Sequence, residues 1–250
     1  TARQIGEVTR IVAEQGLNID AIQRLTGRIP LDETVRPPKS CIELSVRGTP
    51  RDKVAMQSEF MQLSARLGMD ISLQEDSIYR RCRRLICFDM DSTLIETAVR
   101  AGVGDEVKAI TESAMRGEID FCESFARRVG LLKGLDESVL KEVAESLPVT
   151  EGVDRLMQVL KRAGFKIAIL SGGFTYFGNY LKQRYGIDYV YANELEIIDG
   201  KLTGRYVGDI VDGRRKAELL KLIAQVENVD IAQTIAVGDG ANDLPMLSTA

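Results

Sequence analysis

Residues that can bind metal and phosphate follow three short apolar stretches of the chain. Asp89 and Asp91 come directly after the first stretch, and Ser171, with two glycines behind it, follows the second. Asp239 and Asp243 follow the third. Carboxylates without His or Cys nearby suit a hard cation such as Mg²⁺, which keeps water and substrate phosphate among its ligands. Glycine-rich turns that open helices offer backbone amides to an anion. These residues together predict a magnesium-dependent phosphate site.

The chain contains no histidine, and this absence limits its chemistry. Ser-His-Asp and Cys-His nucleophiles, His-ligated zinc and a histidine general base are all excluded. The four cysteines form no CxxC pair, so we expect reduced thiols rather than disulfides or a zinc site. Catalysis must therefore use carboxylates, lysine, serine or cysteine.

The composition is typical of a folded protein that binds small ligands. Hydrophobic residues make up 44% and charged residues 28% of 250 residues, which is enough for a core. The net charge of −4 argues against a broad nucleic-acid surface, and no apolar run reaches the length of a membrane span. We expect a small-molecule substrate, no nucleic-acid or membrane partner, and a cytoplasmic location.

Short apolar strands alternate with helical stretches from Leu85 onward. This alternation predicts a Rossmann-like parallel α/β sheet, whose carboxyl edge gathers the polar residues described above. The expected strands lie at 85–88, 166–170, 189–191 and 234–237. Asp199-Gly200, between two further strand patterns, predicts a hairpin at an edge of the sheet. Residues 98–147 lack strand signals and predict a helical insert over the carboxyl edge.

The first 79 residues predict a separate α+β module. Their order is helix, strand, strand, helix, strand, with the last strand at 69–73. One further strand ahead of Thr1 would give a ferredoxin-like βαββαβ fold. The module resembles an ACT-type regulatory or dimerisation domain whose first strand is missing, and a plain packing domain is the open alternative. We therefore expect two domains, at 1–79 and 80–250.

Four short motifs occur in the order found in one superfamily of phosphotransferases. Asp89-x-Asp91-x-Thr93, Ser171, Lys216 and Asp239-x-x-x-Asp243 resemble the motifs of the haloacid dehalogenase superfamily. Within that superfamily, the segments around these motifs are similar to those of the phosphoserine phosphatases. The resemblance covers about two-thirds of the chain. It implies hydrolysis of O-phospho-L-serine to L-serine and phosphate, the last step of serine biosynthesis.

The resemblance also implies roles for the aspartates. Asp89 would be the nucleophile that forms an aspartyl-phosphate, and Asp91 would protonate the leaving serine oxygen and later activate water. Mg²⁺ would be held by the side chains of Asp89 and Asp239 and by the main-chain carbonyl of Asp91. Asp243 would be a partner of the metal-bound waters or of the motif lysine.

Phosphate and substrate binding are implied in the same way. Ser171, the Gly172 amide and Lys216 would contact the phosphoryl oxygens, and Asn242 would help to place phosphate or substrate. In the helical insert, or cap, Arg128 would bind the substrate carboxylate. Two further cap residues would form walls of the pocket: Phe121 and Met115.

The chain departs from this family at the entry to the cap. The family has a Glu there, in a longer segment, that binds the substrate amino group. Here Thr97 leads directly into 98–102, and Glu96, the nearest candidate, is out of register. Because the chain also starts at Thr1 within a module and stops at Ala250 before the family's closing strands, we expect an incompletely represented chain rather than a deletion.

Other functions remain open at the level of sequence. Cys122 and Arg128 have the Cys-x5-Arg spacing of cysteine-dependent phosphatases, although the residues between them lack glycine and are typical of a helix. A different small phosphomonoester as substrate is a second alternative, and a non-enzymatic serine-sensing protein is a third. The sequence also leaves open whether the N-terminal module binds serine as an effector or pairs two chains into a homodimer.

Overall fold

The computed structural model describes residues 1–27, 40–96 and 120–250. The chain divides into two compact units, Thr1–Asp76 and Ser77–Ala250. This division lies three residues before the boundary expected from the sequence. In the described part of the chain, no helix is both long enough and apolar enough to cross a membrane.

The part of the N-terminal unit that the structure describes packs two helices with a two-stranded antiparallel sheet. Its elements are α1 (Ala2–Glu14), β1 (Asn18–Arg24), β2 (Ile42–Arg47) and α2 (Lys53–Leu67). The buried side chains of the two helices form its core: Ile11, Val12, Met56, Phe60 and Leu63. Gly68 ends α2 with a φ of 58°, a left-handed conformation that glycine adopts without steric penalty.

The strand expected at 69–73 is not formed, although these residues are described. Met69 and Ile71 still pack against the N-terminal core, as their apolar alternation predicts. Alternation reports which side chains are buried, but a strand also needs a neighbouring strand to bond with. In the described residues of this unit, the two strands pair with each other. The expectation of a strand here was therefore wrong.

In its described residues, the C-terminal unit is a five-stranded sheet with helices on both faces. The strand order is β6-β5-β4-β3-β7, and all neighbours are parallel except the edge pair of β5 and β6. Its strands are β3 (Leu85–Phe88), β4 (Lys166–Phe174), β5 (Tyr189–Ile198), β6 (Lys201–Val207) and β7 (Thr234–Val237). Its helices are α3 (Ile78–Arg81), α4 (Phe121–Gly130), α5 (Ser138–Glu145), α6 (Val153–Arg162), α7 (Thr175–Tyr185), α8 (Gly213–Val226) and α9 (Leu244–Leu247).

Alternation along the central strands divides the buried side chains between the two faces of the sheet. Leu85 and Cys87 pack in the cluster formed with α8, whereas Ile86 and Phe88 pack in the cluster formed with α5, α6 and α7. Burial raises the pKa of the Cys87 thiol to about 12, so this cysteine is a neutral packing residue. Because both faces are covered, the open places for a ligand are at the ends of the strands.

Backbone hydrogen bonds attach the described part of the helical insert to the β5–β6 hairpin. The hairpin turns at Asp199 and Gly200, as its sequence predicts, with φ values of 50° and 72°. Gly134 N donates to Leu202 O at 2.7 Å, and Leu202 N donates to Leu135 O at 2.9 Å. The residues that join α4 to α5 are therefore fixed to the edge of the sheet. The rest of the expected insert, 98–119, lies outside the described residues.

Asp188 offers a test of how the sheet is held to α6. Its Oδ2 accepts hydrogen bonds from Ile167 N and from Lys161 Nζ, both at 2.9 Å. Burial acts to raise the pKa of this carboxyl, but the Ile167 hydrogen bond and the Lys161 charge outweigh it and hold the pKa below its ordinary value. A depressed folded-state pKa stabilises the protein above the unfolded pKa, and this stabilisation is lost as pH falls through the folded pKa.

We therefore expect Asp188→Asn to lower the free energy of unfolding by about 1 kcal/mol at neutral pH, because the variant loses the charged hydrogen-bond acceptor. The difference from the unmodified protein should shrink toward about pH 3, because below the ordinary aspartate pKa of about 3.9 the unfolded chain takes up a proton that the folded carboxyl does not yet bind. Urea unfolding at both pH values measures this. Asp199→Asn is the matched control, since Asn also tolerates a positive φ in the hairpin turn. A deficit that stays constant with pH would contradict the assignment.

Candidate active site

The turn after β3 places two aspartates at the carboxyl edge of the sheet. Asp89 N donates to Val237 O at 2.8 Å, so the first aspartate extends the pairing of β3 with β7. The amides of Leu94 and Ile95 both donate to Met90 O, at 2.9 and 3.1 Å, which closes a tight turn around Asp91. The two carboxylates are thus carried by a turn that backbone hydrogen bonds hold in place.

Lys216 is the centre of the charged groups at this edge. It lies in the first turns of α8. The N-cap residue of this helix is Asp212, whose side chain accepts a hydrogen bond from Arg215 N. The Lys216 side chain is 0% exposed, and its Nζ donates to Asp89 Oδ1 at 2.8 Å and to Asp243 Oδ1 at 2.7 Å. A buried ammonium group requires such partners. The helix therefore joins the turn after β3 to the loop after β7.

The loop after β7 is shaped around the carboxylate of Asp243. Its Oδ2 accepts from Gly240 N at 3.0 Å, and the residue is fully buried. A Cβ on Gly238 would lie 2.5 Å from Asp243 Cγ, so only glycine fits there. Both oxygens of Asp243 thus have partners in the protein, which agrees with the expected pairing of this residue with the motif lysine.

Three carboxylates at this edge form a group that could hold a metal ion. Oxygens of Asp89, Asp239 and Asp243 lie within 4.8 Å of one another. Thr93 Oγ1 donates to Asp239 Oδ1 at 3.4 Å, which holds this more exposed member. Burial raises the pKa of Asp89, the Lys216 charge opposes the rise, and the Asp243 charge adds to it. One lysine is shared among several acidic groups, and the donors are all hard oxygens, so the residues fit a divalent cation.

Asp91 is placed differently from the other aspartates. Its side chain is not a member of the three-carboxylate group found among the described residues. It faces Gly173 instead, because a Cβ on that glycine would lie 2.7 Å from Asp91 Oδ2. The metal contact expected from its main-chain carbonyl and the proton transfer expected from its carboxyl stay predictions.

Ser171, Gly172 and Gly173 lie within the final part of β4, not beyond its end as the sequence predicted. Strand β4 continues to Phe174 through a register shift after Leu170, because the pairing with β5 resumes at Phe174 and Asn193. Gly173 N donates to the Oγ of the fully buried Ser171 at 2.9 Å. The irregular strand end therefore places Gly173 against the Asp91 carboxylate and beside the serine hydroxyl.

Asn193 is a site residue that the sequence analysis missed. It is only 2% exposed on β5, and its Nδ2 donates to Gly172 O at 2.9 Å and to Gly173 O at 3.3 Å. Its Oδ1 accepts from Val211 N at 2.8 Å. The sequence does contain one signal that could have identified Asn193: it is a single asparagine in a strand whose first residues are apolar or aromatic.

The structure brings Arg128 of the cap helix α4 toward Asp91. Burial lowers the pKa of this half-buried arginine, and the Asp91 charge opposes that change. The guanidinium carbon lies 5.9 Å from the ring centroid of Phe125. The Phe125 ring packs at a tilt against Phe174, with centroids 6.0 Å apart, and edge-to-face against Tyr206, with centroids 5.4 Å apart. An aromatic cluster therefore connects the cap arginine to the end of β4 and to β6.

The structure gives less information about three other residues that the sequence analysis predicts for the site. Asn242 is exposed, and its Oδ1 occupies the space that a Cβ on Gly240 would need. Phe121 begins α4, and nothing is described of its side chain. Met115 lies outside the described residues. The pocket walls expected from Phe121 and Met115 stay predictions.

The geometry of Cys122 argues against cysteine-dependent phosphatase chemistry. All four cysteines are free, but Cys122 lies within α4, not in an amide-lined loop after a strand. Desolvation and the charges of Asp120 and Asp212 raise the pKa of its thiol. A nucleophilic cysteine needs a lowered pKa, so the Cys-x5-Arg spacing is a coincidence of the helical sequence.

The site and fold agree with the comparison to known families. The model for haloacid dehalogenase-like hydrolases matches residues 86–248, and an ACT domain model matches residues 1–74. The chain belongs to the haloacid dehalogenase-like hydrolase family. These matches confirm the fold class expected from the sequence, a Rossmann-like α/β core with an ACT-type domain ahead of it.

Phosphoserine phosphatases are among the similar proteins. That of Archaeoglobus fulgidus is 46% identical over 215 residues, 84% of this chain and 62% of its own length. A structure described as a phospho-aspartyl intermediate analogue of phosphoserine phosphatase has a TM-score of 0.62 and 40% identity, covering 67% of this chain and 83% of that one. A HAD family hydrolase from Salmonella enterica serovar Typhi has a TM-score of 0.79 and 30% identity, covering 100% and 84%. The chain spans 60–62% of the length of the first curated relatives it matches.

Gly173 provides a test of the close approach between β4 and the turn after β3. A methyl group there would meet Asp91 Oδ2 at 2.7 Å and Met90 Cε at 2.8 Å, which are movable side-chain ends. We expect Gly173→Ala to reduce hydrolysis of an aryl phosphate by about a hundredfold, because Asp91 must shift, and to lower the melting temperature by only a few degrees, because the buried Met90 must also move. Gly130→Ala is the control, since nothing lies within 4 Å of its added Cβ. Full activity in Gly173→Ala would show that Asp91 needs no fixed position.

Proposed function

We propose that this protein hydrolyses O-phospho-L-serine to L-serine and phosphate through an aspartyl-phosphate on Asp89. The observation that carries the proposal is the buried Asp89 paired with the fully buried Lys216, with Asp91 two residues away and its charge acting on Arg128 of α4. The similar proteins named phosphoserine phosphatase support the choice of substrate.

The reaction divides into two transfers at phosphorus. In the first, an Asp89 oxygen bonds to phosphorus, the bond from phosphorus to the serine oxygen breaks, and Asp91 gives that oxygen its proton. In the second, Asp91 takes a proton from water while the water oxygen bonds to phosphorus and the Asp89 carboxylate leaves. Asp89 Oδ1 is bound to Lys216, so its other oxygen is the one that attacks.

A divalent cation, for which we propose Mg²⁺, belongs beside the nucleophile. The side chains of Asp89 and Asp239 and the main-chain carbonyl of Asp91 would hold it, since Asp243 already bonds Lys216 and Gly240. When bound, the cation neutralises negative charge on the nucleophile and the phosphoryl group.

Hydrogen-bond donors for the phosphoryl group come from β4 and α8. Ser171 Oγ accepts from Gly173 N, so the hydroxyl proton is left to donate to a phosphoryl oxygen. The Gly172 amide and the Lys216 ammonium supply further donors, and Asn242 lies at the open side of the loop after β7. These donors act where negative charge increases in the transition state.

The cap supplies recognition of the amino acid. Arg128 is held against Phe125 in the aromatic cluster and can form paired hydrogen bonds with the substrate carboxylate. A partner for the substrate amino group is not found among the described residues, and Glu96, whose amide bonds to Pro148 O, gains no support for that role.

The N-terminal unit adds a regulatory proposal. Its match to the ACT domain supports an amino-acid effector, for which serine is the expected ligand. Homodimer formation, the domain limits 1–79 and 80–250, the cap at 98–147 and the cytoplasmic location stay predictions from the sequence.

Phosphate release from L-phosphoserine, L-phosphothreonine and an aryl phosphate, with and without Mg²⁺, tests the proposed reaction. We expect Mg²⁺-dependent turnover that favours phosphoserine and falls at least about a thousandfold in Asp89→Asn, because the amide cannot act as nucleophile. Turnover of the aryl phosphate alone would overturn the proposed substrate while preserving the aspartate chemistry. Undiminished activity in Asp89→Asn would overturn the chemistry.

Arg128→Met tests carboxylate recognition separately. We expect the KM for phosphoserine to rise about tenfold or more, because the substrate loses a charged hydrogen bond, with little change for the aryl phosphate, which has no carboxylate. The neighbouring Arg127 is the matched control, because it is exposed and pairs with Glu123 on the solvent side of α4. Equal effects of Arg127→Met and Arg128→Met would contradict the assigned contact.

A further inference from the structure

The side chain of Asn193 joins two segments that carry phosphate-binding residues. Its amide nitrogen bonds the carbonyls of Gly172 and Gly173, and its amide oxygen bonds Val211 N. The orientation of the amide is determined, because a carbonyl can only accept and a backbone N–H can only donate. Three hydrogen bonds to backbone groups in a 2% exposed position make this side chain a fixed part of the interior.

The first connection runs to the serine hydroxyl. The peptide group between Gly172 and Gly173 is held at both ends, since its C=O accepts from Asn193 and its N–H donates to Ser171 Oγ. Rotation of this peptide is therefore blocked. The serine hydroxyl, which accepts the Gly173 N–H, keeps its own proton for a phosphoryl oxygen.

The second connection runs to the lysine. Val211 directly precedes Asp212, the residue that caps α8, and Asp212 O accepts from Lys216 N at 2.9 Å. A bond from Asn193 to Val211 N thus fixes the start of the helix that carries Lys216. The backbone that follows Ser171 and the backbone just before the helix that carries Lys216 therefore both form hydrogen bonds with the Asn193 side chain.

We propose that Asn193 is a positioning residue that sets the distance between Ser171 and Lys216 around the transferring phosphoryl group. It acts through these residues and does not touch the substrate. The role requires a carboxamide, because two donors and one acceptor are used on one short side chain. Aspartate keeps the acceptor but loses both donors, and alanine loses all three bonds. The inference rests on the proposed function.

A double-mutant cycle tests the proposal. The proteins are the unmodified chain, Asn193→Ala, Ser171→Ala and the double variant, assayed with phosphoserine and Mg²⁺. We expect Asn193→Ala to lower kcat by about ten- to a hundredfold with a smaller change in KM, because the misplaced donors matter most in the transition state. In the Ser171→Ala background, we expect Asn193→Ala to lower kcat by a factor that is less than about a third as large.

Equal factors in both backgrounds, or an unchanged kcat in Asn193→Ala, would overturn the proposal. Thr234→Val is the control for a merely structural loss, since Thr234 is also fully buried and its Oγ1 donates to Ile231 O at 2.7 Å, at the amino end of β7. It should lower the melting temperature and leave kcat unchanged. A fall in kcat equal to that of Asn193→Ala would show that general destabilisation explains both.

Two further measurements keep the test decisive. If Asn193→Ala does not fold, Asn193→Asp takes its place in the cycle, since it retains size and the acceptor for Val211 N. Calorimetric binding of inorganic phosphate repeats the cycle without turnover, and Asn193→Ala should weaken binding only where Ser171 is present. An unmodified chain that binds phosphate but does not hydrolyse phosphoserine would overturn the proposed function, while the binding cycle still decides the role of Asn193.

Discussion

The ammonium group of Lys216 lies out of contact with water, 2.8 Å from the carboxylate of Asp89 and 2.7 Å from that of Asp243. Removing one charge from such a group leaves the others buried without compensation, at a cost of about 3–5 kcal/mol. The lysine therefore fixes the relative positions of β3, the loop after β7 and α8. The arrangement also leaves excess negative charge beside Asp89, which is the electrostatic reason for a divalent cation there.

The parallel sheet makes this arrangement possible. Strands β3, β4 and β7 end at the same edge, so residues far apart in the chain meet without long loops. Both faces of the sheet are covered by helices, and the carboxyl edge is the place where polar side chains can be grouped. Helix α4 contributes Arg128, on which the charge of Asp91 acts, and the hydrogen bonds of residues 134 and 135 to Leu202 anchor the segment after α4 to the edge strand.

Much of the fold and of the candidate site could be predicted from the sequence, because the sequence signals are local. Apolar strands followed by Asp, Ser and Gly identify the carboxyl edge, and Lys216 is grouped with Asp89, Asp91 and Asp239 because their order resembles that of the haloacid dehalogenase motifs. The sequence did not reveal Asn193, because its importance comes from three backbone partners at distant positions. The strand predicted at 69–73 was also wrong: the burial of its side chains was predicted correctly, but a strand needs a neighbouring strand to pair with. The predicted end of β4 came too early, because a β-bulge leaves no clear pattern in the local sequence.

The walls around the phosphate end are made largely of backbone. At Gly173, Gly238 and Gly240, the space for a Cβ is already filled by the carboxylates of Asp91 and Asp243 and by Asn242. A single substitution at one of these glycines cannot enlarge this part of the site, or change its polarity, without displacing the reacting groups. A change of substrate that keeps the reacting groups in place would therefore have to come from other positions, such as Arg128, to which we assign recognition of the substrate carboxylate.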